Sequence, residues 1–180
     1  MRASTLENDP GVTVEAEAVR LEPSAFARIY EQHRLSVYRY LRGRTQSEDD
    51  ALDLTAVTFE RAYRNLSRFR ARDGGVHAWL LRIARNCAID AHRRSRSTAR
   101  LGTAEAPLRR MAVDTDRLAQ EGMEILDLVA RLPKDQRDAL LLRYAAGLTA
   151  KEIGAVLGKR EGAVQKHIER SLAALREAYR

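Results

Sequence analysis

Residues 79–94 read WLLRIARNCAIDAHRR, and two kinds of side chain interleave along them. Trp79, Leu80, Ile83, Ala84, Cys87, Ala88 and Ala91 recur at steps of one, three and four, which lays a single apolar stripe along a helix. The opposite face carries Arg82, Arg85, Asn86, Asp90, Arg93 and Arg94. Guanidinium groups neutralise phosphates, and a carboxamide both donates to and accepts from a base edge. The chemistry on offer is therefore recognition of a polyanion. A soluble helix with a merely solvated basic face has the same pattern, so the rest of the chain must decide.

A second constellation lies near the C-terminus. Thr149-Ala150-Lys151-Glu152 fits a capping box, in which a hydroxyl at the cap and a carboxylate three residues later satisfy each other's backbone donors. Ile153, Val156 and Leu157 follow as a buried face, and Gly158 ends the helix in a tight turn. The next helix buries Val164, Ile168, Leu172 and Leu175. That phase turns Arg160, Ala163, Lys166, His167 and Arg170 outward, where they can reach a major groove and its flanking phosphates. Short capped helix, glycine turn and second amphipathic helix make a helix-turn-helix. Glu161 and Glu169 weaken its positive field locally. His167 reads as a neutral surface residue or a phosphate contact.

Composition supports a nucleic-acid partner and argues against catalysis. The 180 residues carry a formal net charge of +7, a pI near 10.0, and 32 % charged against 44 % apolar residues. Most of the positive charge is arginine, whose planar fork matches phosphate. Cys87 is the only cysteine, so there is no intramolecular disulfide and no cysteine-rich metal site. His33, His77, His92 and His167 are scattered, with no pair at metal-ligand spacing, and neither metal nor other cofactor is expected. No paired catalytic carboxylates, nucleophile–base spacing or phosphate-cradling glycine loop is present, so the chain does not read as an enzyme. No apolar run reaches the roughly 18–20 residues that span a bilayer, and no signal peptide opens the chain, which predicts a cytoplasmic protein without direct membrane insertion.

The elements that must position these faces are all helical, because no period-two alternation is sustained. Residues 1–23 are polar and acidic and read as a mobile tail, either solubilising or folding back over a basic surface. Residues 24–94 hold three helices around one small core. Ser24 is the expected cap of the first, which carries Phe26, Ile29, Tyr30, Val37 and Leu41 and ends at Gly43. The second starts near Ser47 with Glu48, Asp49 and Asp50 at the positive end of its dipole, and offers Leu52, Leu54, Val57, Phe59, Ala62, Tyr63 and Leu66 to the core. A loop at Arg68–Val76 precedes the Trp79 helix. Residues 95–122, arginine-rich and poor in large apolar side chains, read as a flexible basic linker, whether a spacer or a nucleic-acid contact. Residues 123–180 form the second helical domain: Met123, Leu126, Val129 and Leu132, a stop at Pro133, then Ala139, Leu140, Leu142 and Tyr144 up to Gly147, then the helix-turn-helix.

Together the two constellations resemble the sigma factors of bacterial RNA polymerase, in their extracytoplasmic-function group. The first block carries Asp53-Leu54, Phe59-x-Arg61-Ala62-Tyr63-Arg64, Phe69 and Trp79-Leu80-x-x-Ile83-Ala84-Arg85-Asn86 with Asp90 and Arg93-Arg94. The second carries Leu132-Pro133, Arg137, Leu142, Gly147-Leu148-Thr149, Glu152-Ile153, Leu157-Gly158 and Glu161-Gly162-x-Val164. The resemblance implies an all-α fold of two small domains: a three-helix domain that melts the promoter and a helix-turn-helix domain, joined by the linker. It implies docking on core RNA polymerase, at the beta-prime clamp and the beta flap, with Asp53, Leu54, Val57, Thr58 and Arg61 on the clamp side. It implies binding of the −10 element by Asn86, Arg82, Arg85, Asp90, Arg93, Arg94, Arg70 and Arg72, and of the −35 element by Arg160, Ala163, Gln165, Lys166, His167 and Arg170. Promoter DNA and an anti-sigma factor are the further partners it implies. Asn86 and the preceding loop stand where the family captures a base that has left the stack, a step that costs a few kcal/mol. Trp79 can stack on a base or pack in the core, and its place on the stripe favours the core.

The chain departs from the family pattern at Ala56 and Val57, where a Gln and an acidic residue are usual, and at Arg160, Ala163, Gln165, Lys166 and His167 in the recognition helix. The −35 target is expected to be unusual, or affinity there low. A helix-turn-helix repressor or response-regulator-like DNA-binding protein is the alternative. It explains residues 123–180 alone and predicts a self-dimer on a palindrome.

Overall fold

Ser47 starts its helix as the sequence requires: its backbone is extended and its hydroxyl accepts the Asp50 amide proton at 3.1 Å. The computed structural model describes residues 23–70, 74–100 and 117–179. Among them are seven helices and no strand: α1 (Phe26–Arg42), α2 (Glu48–Arg64), α3 (Gly75–Arg100), α4 (Arg117–Arg131), α5 (Lys134–Tyr144), α6 (Ala150–Leu157) and α7 (Glu161–Ala178). Ser24 differs from expectation. It lies in a 3-10 turn over Pro23–Ala25, and Ala25 takes the cap position of α1 without a side-chain bond. Of the expected acidic tail, 1–23, residues 1–22 lie outside the described residues, as do residues 101–116 of the expected linker.

Helices α1 to α3 enclose the first core, with Val37, Tyr40 and Leu41 against Ala51, Leu54, Phe59 and Ala62, and against Leu80, Leu81, Ala84, Cys87 and Ala88. The α3 stripe is thus the buried one. Trp79 is half-buried and meets Phe69 edge-on, ring centroids 5.1 Å apart, which is packing within the domain. Two expected core positions of α2 turn outward: Leu52 is 51 % and Tyr63 53 % exposed. Thr55 and Thr58 are buried instead, their hydroxyls donating to the carbonyls of Ala51 and Leu54 at 2.7 Å each. A threonine satisfied by the carbonyl one turn back can occupy a core that an apolar-only pattern assigns to leucine.

Helix α3 is longer than its stripe. It begins at Gly75, taking Val76 out of the expected loop, and continues to Arg100. Residues 95–100 and 117–122 of the expected linker are therefore helical. No Gly or Pro interrupts 93–100, and arginine propagates a helix nearly as well as leucine.

In the second domain the capping box is complete. Glu152 Oε2 accepts the Thr149 amide proton at 2.8 Å, and Thr149 Oγ1 accepts that of Glu152 at 3.3 Å. Gly158 closes α6 in the left-handed region at φ 67° and ψ 36°. Gly154 lets the turn fold tightly, since a Cβ there would sit 2.6 Å from the Lys159 carbonyl oxygen. Leu141 fills the face of α5 where Tyr144 was expected, and Tyr144 is 63 % exposed. The two domains pack on each other, α3 against α6 and the end of α1 against α5.

Candidate nucleic-acid interface

The α6–turn–α7 unit presents one open face. Val164 is fully buried and Ile168 and Leu172 are partly so, which fixes the rotation of α7. Arg160, Ala163, Gln165, Lys166 and Arg170 are exposed on it. His167 is not. It is half-buried, and its Nδ1 is enclosed without a hydrogen-bond partner among the described residues. Its carbonyl accepts from Ser171 at 2.7 Å, and that hydroxyl also lies 3.2 Å from the Gln136 carbonyl. His167 therefore lines the α5–α7 seam, and Lys166 and Arg170 carry the positive charge outside. The turn is pinned by Lys159, whose ammonium lies 2.9 Å from Asp135. That bond holds the Asp135 carboxyl below its ordinary pKa.

On α3 the basic face divides. Asn86 and Arg93 are exposed, as is the side chain of Arg94. Arg82 and Arg85 point to the second domain: Arg82 Nη2 donates to the Ala155 carbonyl at 2.8 Å, and Arg85 Nε donates to Asp138 at 3.1 Å. Arg82 stays exposed while making this bond, and Arg85 is half-buried. Asp90 accepts from Arg61 at 3.1 Å and ties α3 to α2. Its charge is wrong for a phosphate, and its bond raises the Arg61 pKa. Asp90 and Arg61 are thus each held by the other. Arg70 is exposed and folds its guanidinium onto the carbonyls of Phe69 and Ser67, 2.9 and 3.2 Å away. Arg72 lies outside the described residues.

Of the expected docking set on α2, Asp53 is exposed and Val57 half-buried. Leu54 and Thr58 face the core, 8 % and 0 % exposed. Leu54, Thr55, Thr58 and Phe59 form the buried side of α2, and Asp53 lies off it.

Sequence reasoning missed Asp138. It is fully buried on α5, with Arg44 Nη1 at 2.7 Å and Arg85 Nε at 3.1 Å. The Tyr40 hydroxyl lies 3.5 Å away, and burial beside this carboxylate drives its pKa far up. Arg44 pairs with Asp138 as an ion pair, and Arg44 Nε lacks a hydrogen-bond partner among the described residues. A second missed pair is His33 and His77, stacked with centroids 4.9 Å apart. Ser36 Oγ lies 2.9 Å from His77 Nε2. Burial lowers both histidine pKa values, and for His33 the neighbouring imidazole lowers it further. No group of three or more metal-ligating side chains occurs among the described residues. No described helix is long and apolar enough to cross a membrane.

Comparison with known proteins matches both domains. Sigma-70 region 2 matches residues 29–98, and Sigma-70, region 4 matches residues 122–175. The extracytoplasmic-function RNA polymerase sigma factor BldN of Streptomyces coelicolor is 35 % identical over 161 residues, covering 86 % of this chain and 61 % of BldN. The sigma factor SigC of Mycobacterium tuberculosis is 36 % identical over 126 residues, covering 68 % of this chain and 66 % of SigC. The chain thus spans a little under two thirds of the length of these relatives. Among solved structures, CnrH in complex with the cytosolic domain of CnrY superposes with a TM-score of 0.68 at 24 % identity, over 88 % of this chain and 89 % of that one. This last likeness is one of fold: two helical domains.

Proposed function

The chain belongs to the extracytoplasmic-function group of sigma-70 factors, and from that premise we propose that it binds core RNA polymerase, recognises the −35 and −10 promoter elements, melts DNA at −10 and directs transcription initiation. One observation carries the reading: region 2 and region 4 stand in order on one chain, each with an exposed face of basic and amide side chains. On α7 that face is Arg160, Gln165, Lys166 and Arg170, and on α3 it is Asn86, Arg93 and Arg94. Arg82 and Arg85 join the second face when the domains part.

The protein acts as a regulatory subunit and does no bond chemistry. Strand opening costs unstacking energy, which is offset by binding bases that leave the helix. Asn86 supplies the donor and acceptor for such a base, and Arg93 and Arg94 hold the adjoining backbone. Docking on the beta-prime clamp uses the exposed side of α2 at Asp53 and Val57, with Arg61 oriented by Asp90, and the second domain meets the beta flap. An anti-sigma factor is the expected regulator, and the site of action is the cytoplasm. The test is run-off transcription with core polymerase on a library of DNA fragments. Transcripts that start at defined positions only when this chain is added support the reading. Uniform or absent initiation overturns it.

A further inference from the structure

Three guanidinium groups gather around one carboxylate beside α5. Arg44 and Arg85 pair with Asp138 at 2.7 and 3.1 Å, and Arg137 precedes it on the helix. The Asp138 side chain has no exposed surface, and that of Arg44 has 6 %. Arg137 is half-buried, and burial first and then the Arg44 charge lower its pKa. The Tyr40 hydroxyl supplies no second negative charge, because burial and then Asp138 drive its pKa far up. A dry site penalises a surplus charge heavily unless a counter-charge is present.

Donors are in surplus as well. Arg44 Nε and Arg137 Nε are buried without hydrogen-bond partners among the described residues. Arg137 Nη1 donates to the Ala130 carbonyl at 3.0 Å, which fixes the group without using its Nε edge. That edge presents two N–H bonds side by side, a fork that matches two oxygens of an oxyanion. One small oxyanion thus supplies both the missing charge and the missing acceptors. Depth selects its size: Arg44 is too enclosed for the backbone of a nucleic acid, whereas a free ion can enter from the side of the partly exposed Arg85 and Arg137. Asp138 selects its kind. Hydrogen phosphate keeps an O–H that can donate to a carboxylate, and sulfate has none. We infer that Arg44 and Arg137, with Asp138 between their charges, form a binding site for one inorganic phosphate. Neither arginine belongs to the exposed faces of α3 and α7, so the site stands apart from the sigma-factor reading.

The experiment titrates inorganic phosphate, and separately sulfate, into the full chain at constant ionic strength. Binding is read by isothermal titration calorimetry and, for phosphate, by phosphorus NMR line width. Phosphate should saturate a single site per chain. Sulfate should bind about 10-fold more weakly or worse, because it leaves the buried carboxylate facing an oxygen with no proton between them. Arg137→Gln removes one fork and should weaken phosphate about 10-fold or more, with helicity kept by circular dichroism. Arg28→Gln, on the exposed side of α1, should bind phosphate as the parent does. Asp138→Asn should erase the preference for phosphate over sulfate. Arg137 lies at the rim, so its variant decides the matter if Asp138→Asn does not fold. Absence of saturation in the parent, equal binding of sulfate, parental affinity in Arg137→Gln, or an equal loss in Arg28→Gln would each overturn the site.

Discussion

Replacing Asp138 by asparagine keeps the shape of the side chain and removes its charge. The carboxylate has no exposed surface, Arg44 is 6 % exposed at 2.7 Å, and Arg85 is 19 % exposed at 3.1 Å. Removing one member of a buried ion pair typically costs about 3–5 kcal/mol, because the remaining charge stays dry and unpaired. Here the lower end applies. Arg85 can turn to water at the rim, whereas Arg44 cannot reach water while the end of α1 lies on α5. The cheapest escape is undocking, so the loss is capped by the docking free energy rather than by the stability of either core. Trp79 is the only tryptophan and sits in the first domain, which makes its fluorescence a probe of that domain alone. In urea, Trp79 fluorescence and far-UV ellipticity should change together in the parent protein. In Asp138→Asn the second domain should melt earlier, splitting the two curves. Coincident curves at the parental midpoint would refute the reasoning.

The helix-turn-helix cap offers a smaller test: Thr149→Ala should cost about 0.5–2 kcal/mol, read from the urea midpoint of the second domain. Glu152→Ala added to it should cost less than the sum of the two single changes, because both residues serve one box. The stacked His33–His77 pair predicts a pH dependence. Burial holds both pKa values below the ordinary 6.5, so the unfolded chain binds protons first. The pair should cost no stability at pH 8, and stability should fall as pH drops through 6.5 until the lowered folded values are passed. His77→Gln should flatten that slope in chemical denaturation between pH 7.5 and 5.5. For promoter melting, Asn86→Ala should weaken opening of different −10 sequences unequally. Arg93→Ala should weaken all of them alike and reduce the salt slope by about one. Equal losses for both changes would remove the base-capture role of Asn86.

The sequence made local features legible. The apolar stripe from Leu80 to Ala88, the Ser47 cap, the Thr149–Glu152 box and the left-handed Gly158 each follow from residue type and spacing within a few positions. What stayed hidden is tertiary. Asp138 sits among Ala139, Leu140, Leu141 and Leu142, and the one local sign was a carboxylate on the buried face of α5. Its partners Arg44 and Arg85 are in another domain, and nothing near Asp138 in the chain names them. The same limit applies to Arg82, whose place on a basic face is visible but whose acceptor, the Ala155 carbonyl, is not. Leu54 and Thr58 show a subtler limit. An exposed residue and a core residue can be neighbours in sequence, as Asp53 and Leu54 are, and the helical phase that separates them is set by packing against α1 and α3.

The sigma-factor account is tested most directly by a footprint of this protein with core polymerase on one isolated promoter, read for both protection and strand opening. It predicts two protected patches about 25 base pairs apart, ~85 Å along the duplex, with unpaired thymines in the downstream patch and no protection from either component alone. A palindromic footprint made by the free chain without polymerase, with every base still paired, would contradict it.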